Sequence, residues 1–281
     1  MPDSRATIAD GQRRESFLAA AAPPIAHLPR KTFRDVVNDI RQDIKFRYPP
    51  FRAYYRIRAL LYGWRRYPEL PLIRHLADRG RVSLDVGANL GLYTYFLARA
   101  SRHVYAFEPN PNPYRVLRSV ADSNVTVLAM ALSDVSGEAD LVIPRGPRGW
   151  SNNGATLERQ YAGPAMTVRV PCRRIDDLGI ADIGFIKIDV EGYELAVLEG
   201  ARETLARDRP ALLVENEVTH RRAKFAAVFQ LLESLGYEGF FLETGVLRTL
   251  SHFSVEKHQI APLAPGGDSR LYVRNFIFLP R

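Results

Sequence analysis

Carboxylates at the ends of short apolar runs are the chemistry-bearing residues of this chain. Asp85 lies in the run Val82-Ser-Leu-Asp-Val, Glu108 follows Val104-Tyr-Ala-Phe, Asp189 lies in Phe185-Ile-Lys-Ile-Asp-Val, and Glu215 closes Ala211-Leu-Leu-Val-Glu. Glu191, Asn216, Glu217 and His220 stand within a few residues of the last two. Such groups can accept hydrogen bonds from hydroxyls, hold a positive charge or a divalent cation, or take a proton. Joint action requires that the runs be strands ending at one edge.

The patterning predicts that they are. Continuous apolar runs separated by helix-length segments, with a further run at Val125-Thr-Val-Leu-Ala-Met, give the β-α-β alternation of a parallel sheet covered on both faces. Strands near Tyr237 to Leu242 and Leu271 to Leu279 complete an α/β fold with a doubly wound, mostly parallel, seven-stranded sheet over residues 81–281. Ligands of such sheets bind at the C-terminal strand ends. One strand–helix–strand step separates Asp189 from Glu215, which places both on neighbouring strands. The stretch from Pro144 to Gly163, rich in Gly, Pro, Arg and Asn, reads as an inserted loop.

The turn after the first strand, Asp85-Val-Gly87-Ala-Asn89-Leu-Gly91-Leu-Tyr93-Thr94, uses two glycines to bend sharply before a helix N-terminus with free N–H groups. A phosphate-binding dinucleotide turn would read G-x-G-x-x-G, and the missing third glycine argues against a nicotinamide dehydrogenase. The acid before the first glycine suits a ligand carrying positive charge. Glu108, at the tip of the second strand, is placed to accept hydrogen bonds from both hydroxyls of an adenosine ribose. Ser133 and Asp134 close the third strand, where an adenine would pack.

In this order the blocks resemble a class I S-adenosylmethionine-dependent methyltransferase with a Rossmann-like sheet, and within that class the FkbM family. The carrying residues are Leu84-Asp-Val-Gly-Ala-Asn-Leu-Gly, Phe107-Glu-Pro, Ala131-Leu-Ser-Asp, Ile186-Lys-Ile-Asp-Val-Glu-Gly-Tyr-Glu, Leu198-Glu-Gly-Ala and Val214-Glu. The resemblance covers residues 80 to 280. It implies methyl transfer from S-adenosylmethionine to a hydroxyl of a small acceptor, such as a sugar, a glycan, or a glycosylated or polyketide metabolite. It also implies a cofactor site formed by Asp85, Gly87, Asn89, Gly91, Thr94, Glu108, Ser133, Asp134 and Asp189. Asp189, Glu191, Glu215 and His220 are then the candidate catalytic residues facing the acceptor.

Several of these residues carry two readings. Asp189, Glu215 and Asn216 are candidate ligands for Mg2+; alternatively Asp189 binds the methionine amino group and acceptor, Glu191 caps a helix beginning at Gly192, and Glu215 acts alone. His220, beside Arg221, Arg222 and Lys224, is a general base or a solvated helix-start residue. Lys187 shares a strand face with Asp189 and reads as a structural ion-pair partner. The loop Arg148-Gly-Trp-Ser-Asn-Asn-Gly-Ala-Thr156 folds near the acceptor or lies idle on the surface. Cys172 reads as a small buried residue.

Composition bounds the remainder. With 281 residues, 46% hydrophobic and 25% charged, the chain falls outside the disordered and polytopic membrane classes. Its single cysteine excludes an internal disulfide framework and points to a reducing, cytoplasmic setting. Arg13-Arg14 precede Phe17-Leu-Ala-Ala-Ala-Ala22, but Pro23-Pro24 break that run short of an export core. The formal net charge is +8, and residues 1–82 hold 17 Lys and Arg against 8 Asp and Glu, so the basic character is N-terminal. Residues 1–30 read as a loosely ordered arm and 31–80 as a helical extension rich in arginine and aromatics. That extension suits an acceptor cover, a homodimer contact, a peripheral membrane contact or a phosphate-bearing partner. Two rival functions are weighed against the leading one. A nucleic-acid methyltransferase would be expected to carry an Asn/Asp-Pro-Pro-aromatic turn where Asp189-Val-Glu-Gly stands; a non-catalytic scaffold would be expected to have lost some of Asp85, Gly87, Gly91, Glu108 and Asp189.

Overall fold

The computed structural model describes residues 67–281 apart from 147–148, 151–153, 158–162 and 219–221. The expected arm at 1–30, most of the extension at 31–80, and His220 lie outside the described residues. Tyr67 to Leu76 form a short 3-10 turn followed by α1 (Ile73–Leu76), and Leu70 and Ile73 are buried against Leu97, Val104, Phe185 and Leu213.

The main sheet has eight strands. In chain order they are β1 (Val82–Val86), β2 (His103–Phe107), β3 (Val125–Leu128), β8 (Ile183–Ile188), β9 (Ala211–Glu215), β10 (Tyr237–Glu243), β11 (Val246–Thr249) and β12 (Asn275–Pro280), arranged β11-β10-β12-β9-β8-β1-β2-β3. The five strands from β9 to β3 run parallel, and β12, β10 and β11 pair antiparallel at the other edge. The count exceeds the expected seven because β10 turns back through Gly245 (φ 87°) into β11. Every residue of β1 and β8 is buried, as central strands covered on both faces must be.

Helices α2 (Leu92–Ala100) and α3 (Pro111–Val120) connect β1 to β2 and β2 to β3, α4 (Glu194–Glu199) and α5 (Arg202–Asp208) connect β8 to β9, and α6 (Arg222–Ser234) connects β9 to β10. The start of α3 is encoded locally: Asn110 accepts from the Asn112 N–H as N-cap, and Pro111 occupies the first turn.

The segment between β3 and β8 forms a second sheet. Its strands are β4 (Ala131–Leu132), β5 (Gly137–Gly146), β6 (Gly149–Trp150) and β7 (Ala165–Arg173), ordered β4-β7-β5-β6. The stretch from Pro144 to Gly163, expected as an inserted loop, contributes the end of β5 and all of β6 to it. Leu141 and Ile143 alternate inward on β5 and meet Val168, Val170 and Cys172 of β7 in a separate small core. The apolar run from Val125 to Met130 is likewise shorter as a strand than expected, because the chain leaves the main sheet after Leu128 and joins the second one at Ala131. No helix among the described residues is long and apolar enough to cross a membrane.

Candidate active site

A cavity of about 300 Å³ opens at the C-terminal ends of β1, β2, β8 and β9. Gly87, Asn89, Glu108, Asp189, Glu191 and Glu215 line it, as do the apolar side chains of Phe107, Met130, Leu132 and Leu141. Tyr67, Tyr193 and Arg274 complete its wall.

Gly87 is imposed by packing. Its φ is 77°, and a Cβ there would sit 1.8 Å from the Asp189 carbonyl oxygen, so only glycine lets the turn after β1 approach the strand end that carries Asp189. Glu108 is held by two backbone donors: Asn89 N donates to Oε2 at 2.7 Å and Asn110 N to Oε1 at 2.8 Å. Burial pushes its carboxyl up to about 7 against those two bonds. A buried carboxylate with fixed oxygens and spare lone pairs, beside the slot formed by Phe107, Met130 and Leu132, fits a ribose diol carrying a flat base. The residues present therefore fit an adenosine-bearing cofactor.

Asp189 and Glu215 are hydrogen-bonded to each other. Burial raises the Glu215 carboxyl, and the neighbouring Asp189 charge raises it further. Burial also opposes ionisation of Asp189, but Lys187 overcomes it and holds Asp189 below the usual range, with Nζ 3.4 Å from Oδ2. The environment therefore holds the Asp189 carboxyl down and the Glu215 carboxyl up. Arg274 Nη1 lies 3.3 Å from Glu215 Oε1 and its guanidinium stacks 5.0 Å from the Tyr67 ring centroid. Tyr67 packs edge-on against Tyr93, over whose ring Lys187 Nζ lies at 4.8 Å. Glu69 accepts from the Tyr93 hydroxyl and from Asn275 Nδ2, which anchors this aromatic floor.

The structure separates the remaining expected residues by role. Asp85 is buried beneath the cavity, accepts from the Thr94 hydroxyl and thereby ties β1 to the first turn of α2; burial lifts its carboxyl to about 6. Gly91 (φ 81°) is the N-cap of that helix. Ser133 donates to Asp134 at 2.7 Å, and the Ser133 carbonyl abuts Gly200, where a Cβ would meet it at 2.0 Å. That contact accounts for the glycine of Leu198-Glu-Gly-Ala. Helix α4 starts at Glu194, and Glu194 Oε1, not Glu191, accepts from Gly192 N at 2.9 Å.

The Mg2+ set does not assemble. Asn216 turns away and donates to the Phe225 carbonyl at 3.0 Å, while Asp189 and Glu215 already face the cationic side chains of Lys187 at 3.4 Å and Arg274 at 3.3 Å. No group of three or more His, Cys, Asp or Glu among the described residues could hold a metal ion. This donor set does not suit a divalent cation.

Tyr67, Tyr193 and Arg274 were not among the expected site residues. Arg274 immediately precedes β12, and because β12 runs antiparallel to β9 its start meets the end of β9, bringing Arg274 beside Glu215. Of the loop expected near the acceptor, Gly154 and Ala155 do line the cavity, together with Leu157 just beyond it.

Fold and site together define a doubly wound α/β protein with a cleft at the carboxyl ends of its parallel strands, whose lining fits an adenosine-bearing cofactor. The chain belongs to the FkbM methyltransferase family, whose domain model, "Methyltransferase FkbM domain", matches residues 85–238. It is similar to the hexuronic acid methyltransferase AglP of Haloferax volcanii, 28% identical over 48% of this chain and 55% of that protein. It is also similar to the 31-O-demethyl-FK506 methyltransferase FkbM of Streptomyces tacrolimicus (31% identical; 44% of this chain, 60% of that one). The 2-O-methyltransferase NoeI of Sinorhizobium fredii is 27% identical over 46% of this chain and 60% of its own length. The matched region thus spans little more than half the length of these relatives.

Proposed function

We propose that this chain is an S-adenosylmethionine-dependent O-methyltransferase acting on a hydroxyl of a sugar, a glycan, or a glycosylated or polyketide metabolite. The observation that carries the reading is the placement of Glu108 and the Asp189–Glu215 pair on one cavity. Family membership supports the donor, and the activities of the relatives, on a hexuronic acid, on a demethylated FK506 and at a 2-O position, support the acceptor class.

S-adenosylmethionine supplies a methyl group already activated on a sulfonium. The chain has to hold donor and acceptor in line and receive one proton. In this reading Glu108 accepts hydrogen bonds from the ribose hydroxyls, and Phe107, Met130 and Leu132 pack the adenine. Ionised Asp189 accepts a hydrogen bond from the acceptor hydroxyl and takes its proton as the oxygen–methyl bond forms. Glu215, held toward its protonated form by burial and by Asp189, orients Asp189; Lys187 and Arg274 limit the charge change at the pair. Tyr67 and Tyr193 offer ring faces to a sugar.

The test is incubation with methyl-labelled S-adenosylmethionine and a panel of uronic acids, neutral sugars, glycosides and hydroxylated macrolides. Label appearing as a base-stable ether on one class, and not with Asp189→Asn, is the expected result. Label on RNA or DNA alone would overturn the acceptor assignment.

A further inference from the structure

Glu191 has φ 54°, the left-handed region that a residue with a side chain enters at a cost of about 1 kcal/mol or more. Two contacts compensate it. Its Oε1 accepts from the Gly154 N–H at 3.0 Å, and its carbonyl accepts from the Thr156 hydroxyl at 3.0 Å. Both partners lie in the second sheet region, 37 and 35 residues earlier in the chain.

Thr156 is in turn bonded to β5 through both of its backbone groups, its N–H to the Val142 carbonyl at 3.0 Å and its carbonyl to the Val142 N–H at 2.8 Å. The neighbouring Leu157 and Ala155 pack on the small core of the second sheet. One residue therefore ties that sheet to the loop that carries Asp189. The tied segment belongs to the cavity lining: Gly154, Ala155 and Leu157, with Leu141 of β5, line the same cavity as Gly87, Glu108, Asp189 and Glu191.

We propose that Glu191 is a positioning residue that latches segment 154–157 onto the Asp189 loop and so completes the cofactor wall. Cofactor affinity then depends on Glu191 through the wall it holds, and Glu191 is not the proton acceptor. The inference rests on the reading of this cavity as the cofactor site.

The test combines calorimetric titration with S-adenosylhomocysteine and NMR exchange of the Gly154 amide in the ligand-free protein. Glu191→Ala is expected to speed Gly154 exchange and to weaken binding by about tenfold, the effect of one charge-assisted bond. Thr156→Val, which removes only the second bond, is expected to weaken binding by about threefold. Glu191→Gln keeps an acceptor oxygen and is expected to stay within about threefold of the parent. Unchanged Gly154 exchange in Glu191→Ala overturns the latch. So does weaker binding in Glu191→Ala with none in Thr156→Val, which would mean that Glu191 touches the cofactor itself. If Glu191→Ala does not fold, Thr156→Val decides by the same two readouts. If the parent protein binds no S-adenosylhomocysteine, the cofactor reading fails, and Gly154 exchange alone still judges the latch.

Discussion

Lys187 Nζ lies 3.4 Å from Asp189 Oδ2, with the lysine side chain 1% exposed and the aspartate 30% exposed. Asp189 follows the last residue of β8 and its N–H still bonds the Val86 carbonyl of β1, so the alternation of the strand carries on and sets its side chain on the face of Lys187, two residues earlier. A buried ammonium without its carboxylate is costly, and a carboxylate without the ammonium binds its proton more tightly. Lys187→Met is expected to raise the Asp189 carboxyl and move the acidic limb of the methyl-transfer pH profile upward. Removing one partner of such a pair should also destabilise the fold by about 3 kcal/mol, read in urea unfolding. An unmoved acidic limb would show that Lys187 does not tune Asp189.

In the proposed reading, Glu108 binds the cofactor through its ionised form. Its carboxyl is pushed up to about 7 by burial, so it is mostly protonated at pH 6 and mostly ionised at pH 8. The ionised form accepts both ribose hydroxyls, and affinity for S-adenosylhomocysteine should therefore rise with pH, by up to about tenfold between pH 6 and 8. Glu108→Gln should flatten this rise above pH 7; Asp85, lifted to about 6, titrates below that window. Glu108→Ala should weaken binding by about 1.5–3 kcal/mol, the worth of hydrogen bonds to a charged group. Affinity that is flat or falling over this range would contradict the assignment.

Asp189→Asn should lower turnover at least a hundredfold, since the amide cannot take the acceptor proton. Its circular dichroism should match the parent. Turnover within tenfold of the parent would move proton acceptance elsewhere.

Gln259 is the structural counterpart of these residues. It is buried, donates from Nε2 to the carbonyls of Asn216 and Val273 at 2.8 and 2.9 Å, and accepts from the Val218 N–H at 2.8 Å. It thereby clamps the chain just after Glu215 to the chain just before Arg274. Gln259→Leu leaves those backbone groups unpaired and should cost about 2–3 kcal/mol in urea unfolding. A loss below 0.5 kcal/mol would show that water replaces the clamp.

The parallel half of the fold was legible because its signals are local. Val82–Val86 and Ala211–Glu215 are the expected runs to the residue, and the C-terminal edge rule then brings Gly87, Glu108, Asp189 and Glu215 to one cavity. The second sheet went unread because its turn-rich middle masks the alternation of Leu141 and Ile143, the one signal that could have found β5. Arg274 was illegible for a different reason. Its place depends on the antiparallel register of β12 against β9, a tertiary pairing that no local pattern encodes. Glu191 reads as the acid that caps a helix beginning at Gly192, whereas in the structure the chain turns left-handed at Glu191 and Glu194 accepts from the Gly192 N–H instead.

In the proposed function, Glu108 and the Asp189–Glu215 pair serve one cofactor-binding cavity. Calorimetric titration of the chain with S-adenosylhomocysteine tests it most directly. One-to-one binding at micromolar affinity, weakened in Glu108→Ala and strengthening from pH 6 to 8, is the predicted result. Absence of binding at millimolar ligand, or binding indifferent to Glu108→Ala, would contradict it.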